Sequence, residues 1–364
     1  MITSEYSFFR FVAFCFLFVF LYSCGGTADN PLNKPLAIGR INKIDVIIDK
    51  KFDVSSLMDS IDFYYAGDYP VTPAPEPYFD LRFLNMEDLA KDPYKKELKT
   101  YIIVADLSDT MSDVTRMVMF DLGPEKLAKA RTDSTFYMLV GRDKWAEGQL
   151  LVYLFAFGED RLERAVASSF EAVAKRIQKH DEQSLHDAIY GAAGENKTIM
   201  STIRDSFGVQ IAIPEFFQQV ILDKNFIWIR MDQKDVIENL VFRRVPYRSS
   251  TQFEKESIIA IRNEYGKKFI TTLAEGAYMS TNVIDLPIME YVHERDGNYM
   301  KEIRGIWETV NDFKGGPYIS YLWHDKKRNE LVFIDAFIFA PGKEKRDYMQ
   351  KLDYMVKNAS LVSR

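Results

Sequence analysis

Cysteine and histidine are scarce: the 364 residues contain two cysteines, Cys15 and Cys24, and four histidines. Both cysteines lie in the first 24 positions, so the rest of the chain has no thiol, no disulfide and no cysteine-based metal site. Core burial alone must hold the fold. Equally absent are a glycine-rich phosphate loop, a G-x-S-x-G nucleophile turn and an H-E-x-x-H helix, short motifs that would be plain in the chain if present. No excess of basic charge exists either. The formal net charge is −6, and Arg243-Arg244, Lys267-Lys268 and Lys326-Lys327-Arg328 are isolated and balanced by nearby acids, which excludes a nucleic-acid footprint. With 47% apolar and 14% aromatic residues, disorder is excluded as well.

What the chain does have begins at its N-terminus. From Phe11 to Ser23 runs an uncharged, aromatic-rich segment, preceded by Arg10 and followed by Cys24-Gly25-Gly26. At 13 residues it is shorter than the roughly 20 needed to span a bilayer as a helix, and it fits the apolar region of a secretory signal. Leu21, Ser23 and Cys24 stand where a bacterial lipobox has them, with Tyr22 bulkier than usual, and a thiol is nucleophilic enough to be alkylated by a lipid. The expectation is a signal peptide over 1–23, lipid attachment (palmitate) at Cys24, and a polar tether over 24–37 that extends to about 40 Å at most. The partner this implies is a membrane, reached through the N-terminal lipid. No acidic retention residue follows the cysteine, so the expected location is the cell envelope, at the outer membrane and facing the periplasm.

About 340 residues remain, enough for two ordinary domains. Strand patterns fall at 41–48, 101–105, 136–140 and 150–157, and helical patterns at 54–65, 161–178 and 182–190. The segment 191–196, GAAGEN, marks a boundary between an N-terminal half, 38–195, and a C-terminal half, 196–364. In the second half, helical patterns at 199–207, 254–265 and 343–357 frame strand patterns at 209–213, 216–221, 226–230, 236–245, 288–292, 318–323 and 331–339. Runs of strands followed by helices, without strict alternation, predict an α+β fold of largely antiparallel sheets with helices on one face. The strand-turn-helix units starting at Gln149 and Glu330 echo one another. Two related halves are one reading of that echo, and chance is the other.

Candidate site residues are few. The segment 302–318 combines Arg304, Trp307 and Gly315-Gly316-Pro317. It reads either as a recognition patch, with Trp307 stacking a ligand and Arg304 clamping a carboxylate or sugar oxygen, or as a core tryptophan packed on a tight turn. Asp335 interrupts an apolar strand between Phe333 and Phe337 on the same face. Such a carboxylate needs a partner, for which Arg230 and Arg304 are candidates, or lines a cavity. Pro70, Pro73, Pro75 and Pro77 make 68–77 an extended loop, either an interaction arm or a connection laid on the surface. The four histidines, His180, His186, His293 and His324, sit in charged, turn-like settings and read as solvated. No catalytic, cofactor or metal residue is expected.

The lipobox, Pro75-Glu76-Pro77, NFIWIR at 225–230, GAYMST at 276–281, RGIW at 304–307, and GGPY at 315–318 with the FIFAPGKEKR that follows together resemble the Bacteroidota lipoprotein family described as domain of unknown function 4837. Lys314 stands where that family's pattern has Met before Gly-Gly-Pro. The resemblance implies a membrane-anchored envelope lipoprotein and carries no activity, ligand or catalytic residue with it. Two functions are expected from the chain: a non-catalytic domain that binds or scaffolds an envelope protein or small-molecule ligand, and, as the alternative, a hydrolase of cell-wall or glycan material built on Asp335 and Glu302.

Overall fold

The computed structural model describes residues 34–191 and 193–362. The signal segment, Cys15, Cys24 and the tether up to residue 33 lie outside the described residues. Among the described residues no helix is long and apolar enough to cross a membrane.

Two sheets organise the chain. The first contains β1 (Lys43–Ile47), β2 (Asp80–Leu84), β3 (Thr100–Asp106), β4 (Met138–Arg142) and β5 (Leu150–Ala156) in the order β2-β1-β3-β5-β4. Strand β4 pairs antiparallel; the other pairings are parallel. Every residue of β3 is buried, as a strand covered on both faces must be. One face packs α1 (Ser56–Tyr65) and α4 (Glu159–Tyr190) through Leu57, Ile61, Leu162, Val166 and Ile177. The other packs α2 (Met86–Lys91) and α3 (Asp113–Thr132) through Leu89, Val114 and Val118. Helix α3 breaks at Gly123, where φ is +69°, because Pro124 disfavours helical geometry in the residue before it.

The second sheet is antiparallel throughout. Its order is β10 (Tyr278–Asn282), β12 (Asn298–Val310), β13 (Gly315–Asp325), β14 (Glu330–Phe339), β9 (Ile237–Pro246), β8 (Phe226–Asp232) and β7 (Gln218–Asp223), with β11 (Met289–Arg295) also paired to β12. Helix α6 (Lys255–Phe269) covers one face, and α5 (Lys197–Phe207) and α7 (Arg346–Lys357) cover the other. A two-residue ribbon joins β6 (Val209–Gln210) to β15 (Ser360–Leu361).

The α+β class expected from the strand runs is the class observed. Its finer features differ in three ways. The N-terminal sheet is mainly parallel, its strands linked by crossovers through α1, α2 and α3; the short β2 and α2 and the kinked α3 have weak patterns in the sequence. Helices cover both faces of both sheets rather than one. The two echoing strand-turn-helix units lie in different settings, β5 between a parallel and an antiparallel neighbour and β14 between two antiparallel ones, so the echo does not extend to topology. Helix α4 also runs unbroken through 178–182, where Asp181 is buried and accepts hydrogen bonds from the Asn42 backbone N–H at 3.1 Å and Lys99 Nζ at 2.7 Å.

Candidate binding cavity

Strand β12 presents alternate residues to opposite faces, so the candidates Arg304 and Trp307 separate. Trp307 joins the core under α6, 5% exposed, edge-on to Phe337 at 5.6 Å. Its indole N–H donates to the Ile338 carbonyl at 3.1 Å. Pairing of β13 with β14 starts at Tyr318↔Phe337, just past Pro317, which has no N–H to give. The indole fills that role by passing over Gly316, where a Cβ would lie 2.2 Å from the Ile338 oxygen. Gly315, Gly316, Pro317 and Trp307 therefore form one internal packing unit, not a recognition patch.

Asp335 lies on the same face, fully buried. Its partner is neither Arg230 nor Arg304 but Arg262 of α6, at 3.2 Å, with hydroxyl donors from Tyr265 and Ser320. Arg262 also donates to Thr281 Oγ1 at 3.2 Å and lies over the Tyr318 ring at 3.9 Å. The spacing of Ile258, Arg262 and Tyr265 on one helical face marks Arg262 as inward-facing, although as an arginine among apolar neighbours it gives no other sign.

Arg304 belongs to the opposite face. It donates to Glu302, to Asp353 Oδ2 of α7 at 3.0 Å and to the Tyr69 hydroxyl at 3.4 Å. Glu302 holds His293 Nε2 at 2.7 Å, and Asp353 accepts from Tyr321 and from Lys357 at 2.8 Å. Burial pushes the Asp353 carboxyl up, but Arg304 and Lys357 outweigh it and hold the carboxyl below the usual carboxylate range. Tyr69 brings the proline-rich loop into this cluster. In the same loop, Glu76 accepts the backbone N–H groups of Lys345, at 2.8 and 2.7 Å, and Arg346, at 2.6 Å. An acid at the start of α7 complements the helix dipole, so the loop clips the N-terminal sheet to the closing helix.

The histidines are less solvated than their settings suggest. His293 is partnered by Glu302, and His324 lies tilted against Tyr247 with ring centres 4.2 Å apart. His180 Nε2 is buried with no hydrogen-bond partner among the described residues; burial, then Lys99, holds its pKa below the ordinary value. His186 is exposed beside Tyr190. Among the described residues no three His, Cys, Asp or Glu side chains converge as a metal site would require.

A different acid occupies a cavity. Glu238 of β9 lies on the α7 face of the sheet, in line with Leu240 and Phe242, at 2% exposure. It sits at the base of a cavity of about 590 Å3 between the end of α4, the 214–217 segment, β8 and α7. Ile189, Tyr190, Phe216, Phe217, Met231 and Met355 form the apolar walls; Gln233, Glu238 and Lys351 are the polar groups. Gln233 Nε2 donates to Glu238 Oε1 at 3.1 Å. Burial pushes the Glu238 carboxyl up to about 7 from 4.5, against a smaller opposing pull from Lys351. The Lys351 ammonium lies 5.7 Å from the centre of the Tyr348 ring. No Ser, Thr, Cys or His is among the described lining residues, so they include no hydroxyl–histidine or thiol–histidine pair. Glu238 has the same signature in the chain as Asp335: an acid in line with apolar strand neighbours, here Val236 and Leu240.

Residues 196–358 match the family model described as "Domain of unknown function (DUF4837)". That span includes the motifs at 225–230, 276–281, 304–307 and 315–318 but not Pro75–Pro77 or the lipobox. No curated protein matches the chain. Solved structures give distant likenesses. The chain is 11% identical to a point mutant of the protein Mog1, covering 43% of this chain and 92% of that one with a TM-score of 0.29. It is 11% identical to the Saccharomyces cerevisiae Ran-binding protein Mog1p, covering 43% and 91% with a TM-score of 0.28. Human STARD10 is 7% identical over 44% of this chain and 74% of that one, with a TM-score of 0.22. Likenesses at this level carry no argument about function.

Proposed function

We propose that this protein is a lipid-anchored lipoprotein of the cell envelope, held at the outer membrane and facing the periplasm through Cys24, whose folded part is a non-catalytic domain that binds a small molecule in the Glu238 cavity. One observation carries the binding reading. Apolar walls flank a few convergent polar groups in this half-open cavity, the usual make-up of a ligand site. Elsewhere the buried charges, Asp335 with Arg262 and Arg304 with Glu302 and Asp353, are already partnered within the fold. The hydrolase alternative loses its pair: Asp335 faces α6 and Glu302 faces α7, so the two carboxylates cannot flank one bond.

Two experiments test the two parts of this reading. Radiolabelled palmitate should label the wild-type chain in cells and not Cys24→Ser; equal labelling would end the lipoprotein part. For the cavity, a solvatochromic apolar dye should bind the detergent-solubilised full chain and be displaced or weakened by Ala188→Trp, which places a ring in the cavity lining. Unchanged dye binding by that variant would remove the cavity as the ligand site.

A further inference from the structure

Resting on the reading of the Glu238 cavity as a ligand site, we infer that its ligand is an organic cation: an ammonium group on an apolar, ring- or chain-bearing body, with the ammonium held by Glu238 and the body by the aromatic and methionine walls. Three features of the cavity lead there. First, Glu238 is the one acid among the described lining residues; it is almost wholly buried and, among the described residues, has a single hydrogen bond from a neutral amide and no ion pair. Ionising a carboxyl so placed leaves it short of a cation, because burying a charge is costly unless it is paired. Asp335 has its arginine and two hydroxyls in the same sheet, so the fold supplies such partners where the chain itself must meet the need.

Second, the walls suit a cation that carries an apolar body. Tyr190, Phe216 and Phe217 offer aromatic faces and Met231 and Met355 polarisable thioethers, and aromatic faces attract ammonium groups as well as burying hydrocarbon. Phe216 stands 66% exposed at the rim, an aromatic surface that an occupant would cover. Third, the net charge of −6 draws cations and repels anions at long range.

The other titratable groups among the described lining residues are Lys351 of α7 and Tyr190 of α4. Burial, with smaller pushes from Tyr354 and Glu195, raises the Tyr190 hydroxyl above its ordinary value, so it stays neutral and adds no charge. Lys351 competes for the same carboxylate and repels a bound ammonium, but its own contact is with Tyr348. A ligand ammonium favours ionised Glu238, so binding lowers the carboxyl's pKa, and affinity for the cation rises with pH through the free carboxyl's titration.

The test uses the full chain in detergent and three probes of matched shape: phenethylammonium, phenethyl alcohol and 3-phenylpropionate. Ligand-observed NMR titrations at about pH 8 and about pH 5.5 are expected to give phenethylammonium about tenfold tighter binding than the alcohol at the higher pH, a smaller margin at the lower, and the weakest binding for the anion. Glu238→Gln should abolish the cation's margin and its pH dependence, with an unchanged circular dichroism spectrum showing that the variant is folded. Lys351→Met should tighten the cation by a few-fold. If the alcohol or the anion binds as well as the cation, or if Glu238→Gln leaves the margin intact, the cation assignment is overturned while the cavity remains a ligand site. If no probe of any charge binds, the assignment and the ligand-site reading fall together.

Discussion

The two faces of the eight-stranded sheet treat a buried acid in opposite ways. Under α6, Asp335 meets Arg262, Tyr265 and Ser320, and the region around it is closed by Trp307, Tyr318 and Phe337. On the α7 side, Glu238 meets one amide and then the cavity. Both residues interrupt apolar strands, so burial of an acid is not by itself a sign of function. What separates them is whether the fold supplies the cation. A satisfied pair locks packing, while an acid whose side is open to a cavity leaves a demand that something outside the chain can meet.

The contrast breaks most visibly at Arg262. Arg262→Met leaves Asp335 buried without its cation and should cost about 3–5 kcal/mol in urea unfolding, with most of the loss recovered by pairing it with Asp335→Leu. On the other face the same kind of change has the reverse sign. Glu238 keeps its proton to about pH 7 in the folded chain and loses it near 4.5 when unfolded. The folded state therefore holds more protons between those values. Stability fully present below pH 4.5 is lost as pH rises through 7, by about 3 kcal/mol. Glu238→Gln lacks that loss, so its unfolding free energy relative to wild type should rise between about pH 5 and 8. A wild-type profile parallel to the variant's would remove the distinction between the two acids.

Smaller changes sharpen the comparison by testing what closes the α6 face and what braces the α7 face. Gly316→Ala pushes a methyl against the Ile338 carbonyl and should cost about 1–3 kcal/mol and shift Trp307 fluorescence, with no effect on probe binding in the Glu238 cavity. Glu76→Gln removes the charge from the start of α7 and should cost about 1 kcal/mol by thermal unfolding, with hydrogen exchange rising first at the N-terminus of α7. Protection lost elsewhere in the helix but not there would contradict the clip.

Strands and helices with clean periodicity, including β3, β5, β9, β14 and α7, are legible in the chain, and with them the α+β class. Strand β12 is hidden, because Glu302, Arg304 and Gly305 break the alternation that marks a strand, and only the hydrogen bond to His293 and the ion pair to Asp353 explain why charges sit there. Parallel pairing in the first sheet depends on crossovers through α1, which is legible, and through the short α2 and the kinked α3, where periodicity is weak. Site residues follow the same division. Asp335 is visible as an anomaly, but its partner Arg262 lies 73 positions away and no local pattern links them. The grouping of Arg304 with Trp307 rests on nearness along the chain, and strand geometry sends the two to opposite faces. Glu238 carries the same mark as Asp335, yet its cavity is built from α4, β8 and α7, elements far apart in sequence that only the fold brings together.

Glu238 is thus an acid with no ion pair among the described residues, facing a cavity that an external cation can enter. Carbon-13 NMR of the glutamate side-chain carboxyls, assigned by Glu238→Gln, measures this directly. The expected titration midpoint for Glu238 is near 7 in the free protein, moving down when phenethylammonium is added. A midpoint at the ordinary value of 4.5, or one that does not move with the cation present, would contradict it.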